Sequence, residues 1–181
     1  SAAGVDYDAL GVKLVGYDAL GIGNHEFDFG AGTFASFAQA VQPPGRGRTL
    51  PLVSANLDYS RDPATSGLEQ LVPSTVLKVR GERVGVVGLT TETLRQISSP
   101  GLVGVGQELA AIAQEEIDSL TQRGVDKIIL VSHLQGIQSE IDLIADLSGV
   151  DVVIGGGGDE ILANVGDELV PGDETESFGL Y

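Results

Sequence analysis

The chain has 181 residues, 26 of them acidic against 10 basic, for a net charge of −16. That balance leaves no basic stripe for a nucleic acid, and the absence of cysteine excludes disulfide frameworks, thiolate zinc sites and cysteine nucleophiles. The length and apolar content suit one well-buried domain, and no apolar stretch approaches the roughly 20 residues that a bilayer span needs.

An anionic substrate is compatible with this charge where a local cation overrides the global field, as a bound divalent metal does. Missing thiols and strong acidity fit an extracytoplasmic setting, whether periplasmic, secreted or at the cell surface. The chain opens on Ser1-Ala2-Ala3 with no visible signal peptide, which leaves room for a removed leader or upstream segment.

Residues 1–16 mix apolar and polar positions too closely for a clean stripe. Tyr7-Asp8-Ala9-Leu10-Gly11 recurs as Tyr17-Asp18-Ala19-Leu20-Gly21, too little for a repeat architecture. Tyr17 to Ile22 reads as a short buried strand. It empties into Gly23-Asn24-His25-Glu26-Phe27-Asp28-Phe29-Gly30, a loop with one of only two histidines in the chain. Phe34, Phe37, Ala38 and Val41 then mark one helical face, which Pro43-Pro44-Gly45 ends. Leu50 to Ala55 is a second strand leading to Asn56 and Asp58, and the polar stretch Tyr59 to Leu71 reads as a surface loop.

Thr75–Arg80 and Val84–Leu89 flank a tight turn and predict a hairpin. Leu109, Ile112, Ala113, Ile117 and Leu120 predict a helix closed by Gly124. Lys127 to Val131 is the continuous apolar run of a strand covered on both faces, and it delivers His133. Ile137, Ile141 and Ile144 mark a further helix. Val150 to Ile154 reads as a last buried strand, followed by Gly155-Gly156-Gly157-Gly158-Asp159-Glu160. Strands alternating with helices indicate an α/β domain with a largely parallel sheet. Ligands in such sheets bind at the carboxyl ends of strands, where Asn24, His25, His133 and Asp159 converge, with Asn56 and Asp58 nearby.

Imidazole nitrogen, carboxamide oxygen and carboxylate oxygen are ligands for zinc, manganese or iron. A histidine that is not a ligand serves as an acid or as a donor to developing charge, and Asp28 is placed to orient His25. Asn24, His25, Asp28, His133 and Asp159 supply these groups between them, without the tight spacing of a zinc finger or zinc-protease helix. Plainer readings compete: His133 as a hydrogen-bonded structural residue, Asn-His-Glu as turn and cap chemistry, and the glycine run as a flexible connection. That run lacks the lysine and Ser/Thr of a phosphate-binding P-loop. A Ser-His-Asp hydrolase lacks its G-x-S-x-G elbow here.

Gly23 to Gly30, preceded by Gly16-Tyr17-Asp18-Ala19, resembles the calcineurin-like metallophosphoesterases, specifically their 5′-nucleotidase branch. Ser54-Ala55-Asn56-Leu57, Val86-Val87-Gly88-Leu89-Thr90, Leu130-Val131-Ser132-His133-Leu134 and Asp151 to Gly156 resemble later pieces of that branch in the same order. The resemblance implies a β-sandwich flanked by helices, incomplete at its N-terminal side. It implies two divalent metals (zinc, manganese or iron) that bind the phosphoryl group and activate a water for in-line attack on a nucleotide or related phosphate ester.

By the same resemblance, Asn24 and His133 are metal ligands, His25 meets the phosphoryl oxygens or leaving group, and Asp28 is its partner. The family's Asp-x-His and Gly-Asp motifs, which precede its Asn-His-Glu loop, are not found before Asn24 in this sequence. Its closing Gly-His-x-His or Gly-His-x-Gln is here Gly156-Gly157-Gly158-Asp159, with Asp159 the candidate remaining ligand. Residues 1–165 are therefore expected to be the middle and later part of a catalytic domain. Residues 166–181 are expected to be an acidic exit toward a C-terminal substrate-binding domain. The alternative is a degenerate member that keeps the fold as a binding or surface domain without catalysis.

Overall fold

The computed structural model describes residues 7–44, 49–158, 160–161, 163, 166–168 and 170–171. Asp159 and most of the acidic 166–181 segment lie outside the described residues.

The repeated pentapeptide adopts two conformations. Its first copy lies in helix α1 (Tyr7–Val15), and its second leads into strand β1 (Leu20–Gly21). Gly16 separates them: with φ +75 it adopts the left-handed backbone, and its N–H closes on the Val12 carbonyl at 3.1 Å, which stops the helix. Tertiary context thus overrides local sequence, and the ambiguous residues 7–15 resolve as helix.

A short 3-10 turn (His25–Phe27) and helix α2 (Ala31–Ala40) follow β1. The apolar face read from the sequence is the buried one, with Phe34, Ala38 and Val41 almost fully enclosed. Strand β2 (Leu52–Val53) runs parallel to β1 on one side and to β4 (Leu71–Val72) on the other. Between them β3 (Leu57–Asp58) pairs antiparallel with β7 (Gly104–Val105). The expected surface loop of residues 59–71 is stapled inward: Asp62 and Thr65 are buried, and Asp62 accepts hydrogen bonds from the Ala64 and Leu102 amides at 3.0 and 3.1 Å.

The larger sheet has the order β5-β6-β8-β9. Strands β5 (Ser74–Val79) and β6 (Glu82–Thr90) form the expected hairpin, turned by Arg80 and Gly81, both at positive φ, the geometry that matches strand twist. Helix α4 (Leu109–Gln122), preceded by the single turn α3 (Leu94–Ile97), crosses from β6 to parallel β8 (Ile128–His133). Helix α5 (Ile137–Ala145) crosses from β8 to parallel β9 (Val152–Gly156).

Two expectations change here. Strand β8 is fully buried on one face (Ile128, Leu130, Ser132) and half-buried on the other. Strand β9 is not buried: among the described residues it is an edge strand paired with β8 alone, and Val152 and Ile154 are 49% and 54% exposed. Its apolar run reflects sheet propensity rather than enclosure.

Two cores result. One gathers Phe27, Phe34, Leu52 and Leu94 between the smaller sheet and α2, with Phe27 and Phe34 ring centroids 4.6 Å apart. The other gathers Leu89, Ile117, Leu120 and Leu130 between the larger sheet and α4. The sheets meet face to face where side chains vanish. A methyl on Gly88 would lie 2.1 Å from the Val53 carbonyl oxygen, and one on Gly21 would lie 2.7 Å from a Val131 methyl. This is the sandwich that the resemblance implies, and its thinnest point is Gly88.

Gly88→Ala is therefore expected to cost about 3 kcal/mol or more, because rigid backbone opposes the new methyl. Gly85→Ala, whose methyl meets the movable Leu120 Cδ1 at 2.9 Å, is expected to cost markedly less. Urea unfolding of both variants checks the order.

Candidate active site

The site grows from a buried polar knot that joins strand ends. Asn56 lies just before β3 and is 4% exposed. Its Oδ1 accepts the Thr90 amide at 2.9 Å, and its Nδ2 donates to the Thr90 and Gly106 carbonyls at 2.7 and 3.3 Å. Ser54 Oγ lies 3.1 Å from Asn56 Oδ1 and 2.8 Å from Thr90 Oγ1. The Thr90 hydroxyl donates to the Ile22 carbonyl at 2.6 Å. A buried carboxamide satisfied at both ends contributes roughly 1 kcal/mol per hydrogen bond, and leaving its partners bare costs more.

This knot fixes the ends of β1, β2 and β6 together. Ile22 is two residues before Asn24, and Thr90 sits opposite His133 in the β6–β8 register. The consequence is a contact across 109 positions of sequence: His133 Nε2 donates to Asn24 Oδ1 at 2.7 Å. Gln135 Nε2 donates to the same oxygen at 3.2 Å. Asn24 is buried and His133 half-buried.

Two glutamates brace these loops. Glu26 Oε2 accepts the Gly23 amide at 2.7 Å, which curls the loop before Asn24. Glu140, buried on α5, grips both neighbours of His133: it accepts the Ser132 hydroxyl in a short bond and the Leu134 amide at 3.1 Å. Glu26, Ser54 and Thr90 stand within the motifs read from the sequence, Glu26 only as turn chemistry and the other two without a role, and Glu140 has no place in that reading. A carboxylate one helical turn inside α5 has no local signature until the fold places it against β8.

The 3-10 turn brings His25 and Asp28 onto one side, as i and i+3 eclipse in that geometry. His25 Nδ1 donates to Asp28 Oδ2 at 2.7 Å, and Asp28 Oδ1 accepts from Ser98 Oγ at 3.0 Å. The His25 side chain is 76% exposed. Nδ1 is the ring nitrogen engaged in this pair. The hydrogen bond from His25 is the main cause that holds the Asp28 carboxyl below its ordinary value of 3.8. Desolvation is the next largest influence and opposes it, while the Ser98 hydrogen bond and the His25 charge add to the lowering.

Asn24 with His133 and His25 with Asp28 are thus the pairs the structure forms from the candidate residues. Asp58 is spent elsewhere: exposed, it accepts the Ser60 amide at 2.9 Å in its own turn.

Tetrahedral ligands at about 2.1 Å from a metal lie roughly 3.4 Å apart. The Asn24–His133 pair, an oxygen and a nitrogen 2.7 Å apart, needs to spread by less than ~1 Å to take one. The donor chemistry fits two ligands of one divalent metal. Among the described residues, no group of three His, Cys, Asp or Glu side chains gathers to complete a site.

No family model matches the sequence. The 5′-nucleotidase of Diplobatis ommata is 39% identical over 146 residues, covering 80% of this chain and 24% of that protein. The 5′-nucleotidase of Mus musculus is 36% identical with the same coverage. Among solved structures, a 5′-nucleotidase precursor from Thermus thermophilus matches with TM-score 0.78 and 36% identity. The match covers 91% of this chain and 31% of that one. The NAD nucleotidase of Haemophilus influenzae matches with TM-score 0.72 and 28% identity over 87% of this chain and 26% of that one. The chain spans about a quarter of the length of the curated relatives it matches.

A group whose folded pKa is depressed adds stability at higher pH and loses it as pH falls through the lowered value. The Asp28 carboxyl is therefore expected to titrate below 3.8 by carbon NMR and to move back up in His25→Leu. An unchanged midpoint in that variant would contradict the pairing.

Proposed function

We propose that this chain, which belongs to the 5′-nucleotidase-type metallophosphoesterases, is part of an enzyme that hydrolyses phosphate esters of nucleotides. The observation that carries the proposal is the meeting of Asn24 and His133 at 2.7 Å beside the His25–Asp28 pair. Names of relatives at 36–39% identity support the substrate class.

Each residue has a part. Asn24 Oδ1 and His133 Nε2 would hold one of two divalent ions, zinc, manganese or iron, whose ligands they suit. The rest of the dinuclear site would come from outside the described residues, Asp159 among them. Bound metal would supply neutralisation of phosphoryl charge and a water acidic enough to attack. The chain's own residues orient. Asp28 fixes the His25 ring and keeps its Nδ1 proton in place, so that Nε2 is presented to a phosphoryl oxygen or to the departing alkoxide. As an imidazolium, with a second proton on Nε2 balanced by the Asp28 carboxylate, His25 would donate there and stabilise charge that grows in the transition state.

The full protein extends this reading. A further domain to hold the nucleoside fits a chain that spans about a quarter of its relatives. Sugar nucleotides, cyclic nucleotides and simple phosphate esters stay within the same substrate class. An extracytoplasmic location fits the cysteine-free acidic composition and a relative named snake venom 5′-nucleotidase, from Gloydius brevicauda, 32% identical over 80% of this chain and 24% of its own length. Among the described residues no helix is long and apolar enough to cross a membrane.

The second reading, a binding domain without catalysis, is favoured by Gly157, which stands where the family resemblance expects a ligand histidine. Assay of the full-length protein with AMP and manganese or zinc separates the two. The enzymatic reading expects turnover, bound metal, and a fall in kcat of about 10²- to 10⁴-fold in His25→Ala. Neither turnover nor metal uptake by the full-length protein would leave the binding domain.

A further inference from the structure

We propose that Gln135 is a further ligand of the metal held by Asn24 and His133, presenting its side-chain oxygen in place of the histidine that the family resemblance expects at Gly157. The proposal rests on the metal-ligand reading of Asn24 and His133. Two observations carry it. Gln135 Nε2 lies 3.2 Å from Asn24 Oδ1, the same oxygen that His133 Nε2 reaches at 2.7 Å. Gly157, for its part, brings no side chain to this cluster of strand ends.

Asn24 Oδ1 is the common point of the three side chains. It accepts from two N–H groups at once, so two positive ends converge on one oxygen of a buried residue. A divalent cation satisfies that oxygen with more charge. The 3.2 Å separation is close to the roughly 3.4 Å between neighbouring tetrahedral ligands. The Gln135 terminus therefore needs a turn rather than a displacement. Rotation about its last side-chain bond exchanges Nε2 for Oε1 at nearly the same point, and that torsion is soft and roughly two-fold. The amide nitrogen only donates, whereas the oxygen has lone pairs to offer a metal. A second carboxamide oxygen also tilts the donor set toward manganese, which carbonyl and carboxylate oxygens suit.

The main chain aims this side chain. Gln135 sits between β8 and α5 and is exposed, yet its amide reaches inward to Asn24. Glu140 accepts the Leu134 amide at 3.1 Å on one side of it. On the other side Glu160 Oε1 accepts the Ile137 amide at 2.9 Å. Two carboxylates thus pin the loop within two residues of Gln135. The plainer role for Gln135 is a hydrogen bond alone, as a donor that steadies Asn24. The two roles separate by chemistry, because a carboxylate at position 135 can ligate but cannot donate.

The test titrates manganese into the full-length protein by calorimetry, as wild type and as Gln135→Leu, Gln135→Glu and Gln135→Asp. Position 135 is exposed, so the four proteins should unfold alike in urea. Gln135→Leu is expected to lose about tenfold or more in affinity, at least what losing an outer-shell partner costs. Gln135→Glu is expected to bind as tightly as wild type or more tightly. Gln135→Asp carries the same charge one carbon short of the metal and is expected to bind more weakly than Gln135→Glu. Unchanged affinity in Gln135→Leu overturns the proposal. Loss in both Gln135→Leu and Gln135→Glu also overturns it, and leaves Gln135 as a donor to Asn24. Equal affinity in Gln135→Glu and Gln135→Asp overturns it too, because charge alone then accounts for binding. A wild-type protein that takes up neither manganese nor zinc overturns the metal reading itself, and the proposal with it.

Discussion

The constraint on which the rest depends is the buried carboxamide of Asn56. It satisfies both backbone groups of Thr90, reaches Gly106, and shares Ser54 with the Thr90 hydroxyl that holds Ile22. Strands β1, β2 and β6 end within this one knot, so their terminal loops have little freedom to drift. Polar groups so enclosed are costly unless every one is paired, which favours a single arrangement over alternatives with the same hydrophobic content. The position of His133 follows, because its strand is hydrogen-bonded to β6 up to Thr90 itself.

Glycine supplies the complementary constraint. The knot draws strand ends together, and contact at close range requires that side chains be missing at chosen points. Gly88 lets the two sheets touch, and Gly23 makes room for the His133 ring. Each is a packing requirement of a different layer. They connect the sandwich to the chemistry in one chain of contacts, from Val53 against Gly88, through Thr90, to His133 and Asn24. The exposed His25–Asp28 pair stands outside this tight region on a 3-10 turn, with Ser98 as its anchor. The group proposed to meet a substrate phosphate is thus held by local geometry, whereas the Asn24–His133 pair is held by the core.

Periodicity made much of the fold legible. The apolar faces of α2 and α4, the β5–β6 hairpin and the run ending in His133 all appear where the pattern places them. The pentapeptide copies were opaque because identical residues lie in a helix once and lead into a strand once, with Gly16 stopping the helix between them. Strand β9 misled because Val and Ile mark sheet propensity as readily as burial. At the site, strand-end logic indicated that Asn24 and His133 share an edge. It said nothing of Glu140 or of Thr90 as a hub, since long-range partners leave no periodic trace. Asn56 was visible as a polar residue after a strand, but its role as a tie rather than a site residue needed the three-dimensional contacts.

The most direct test of this account is the Asn56→Ala variant of the full-length protein, measured for unfolding free energy and for manganese affinity together. Loss of the carboxamide bares the Thr90 backbone groups and should lower stability by about 2–3 kcal/mol. If the knot positions the strand ends, manganese affinity should fall by about tenfold or more in the fraction that remains folded. A variant that loses stability while binding manganese as tightly as the wild type would contradict the claim that Asn56 positions the site.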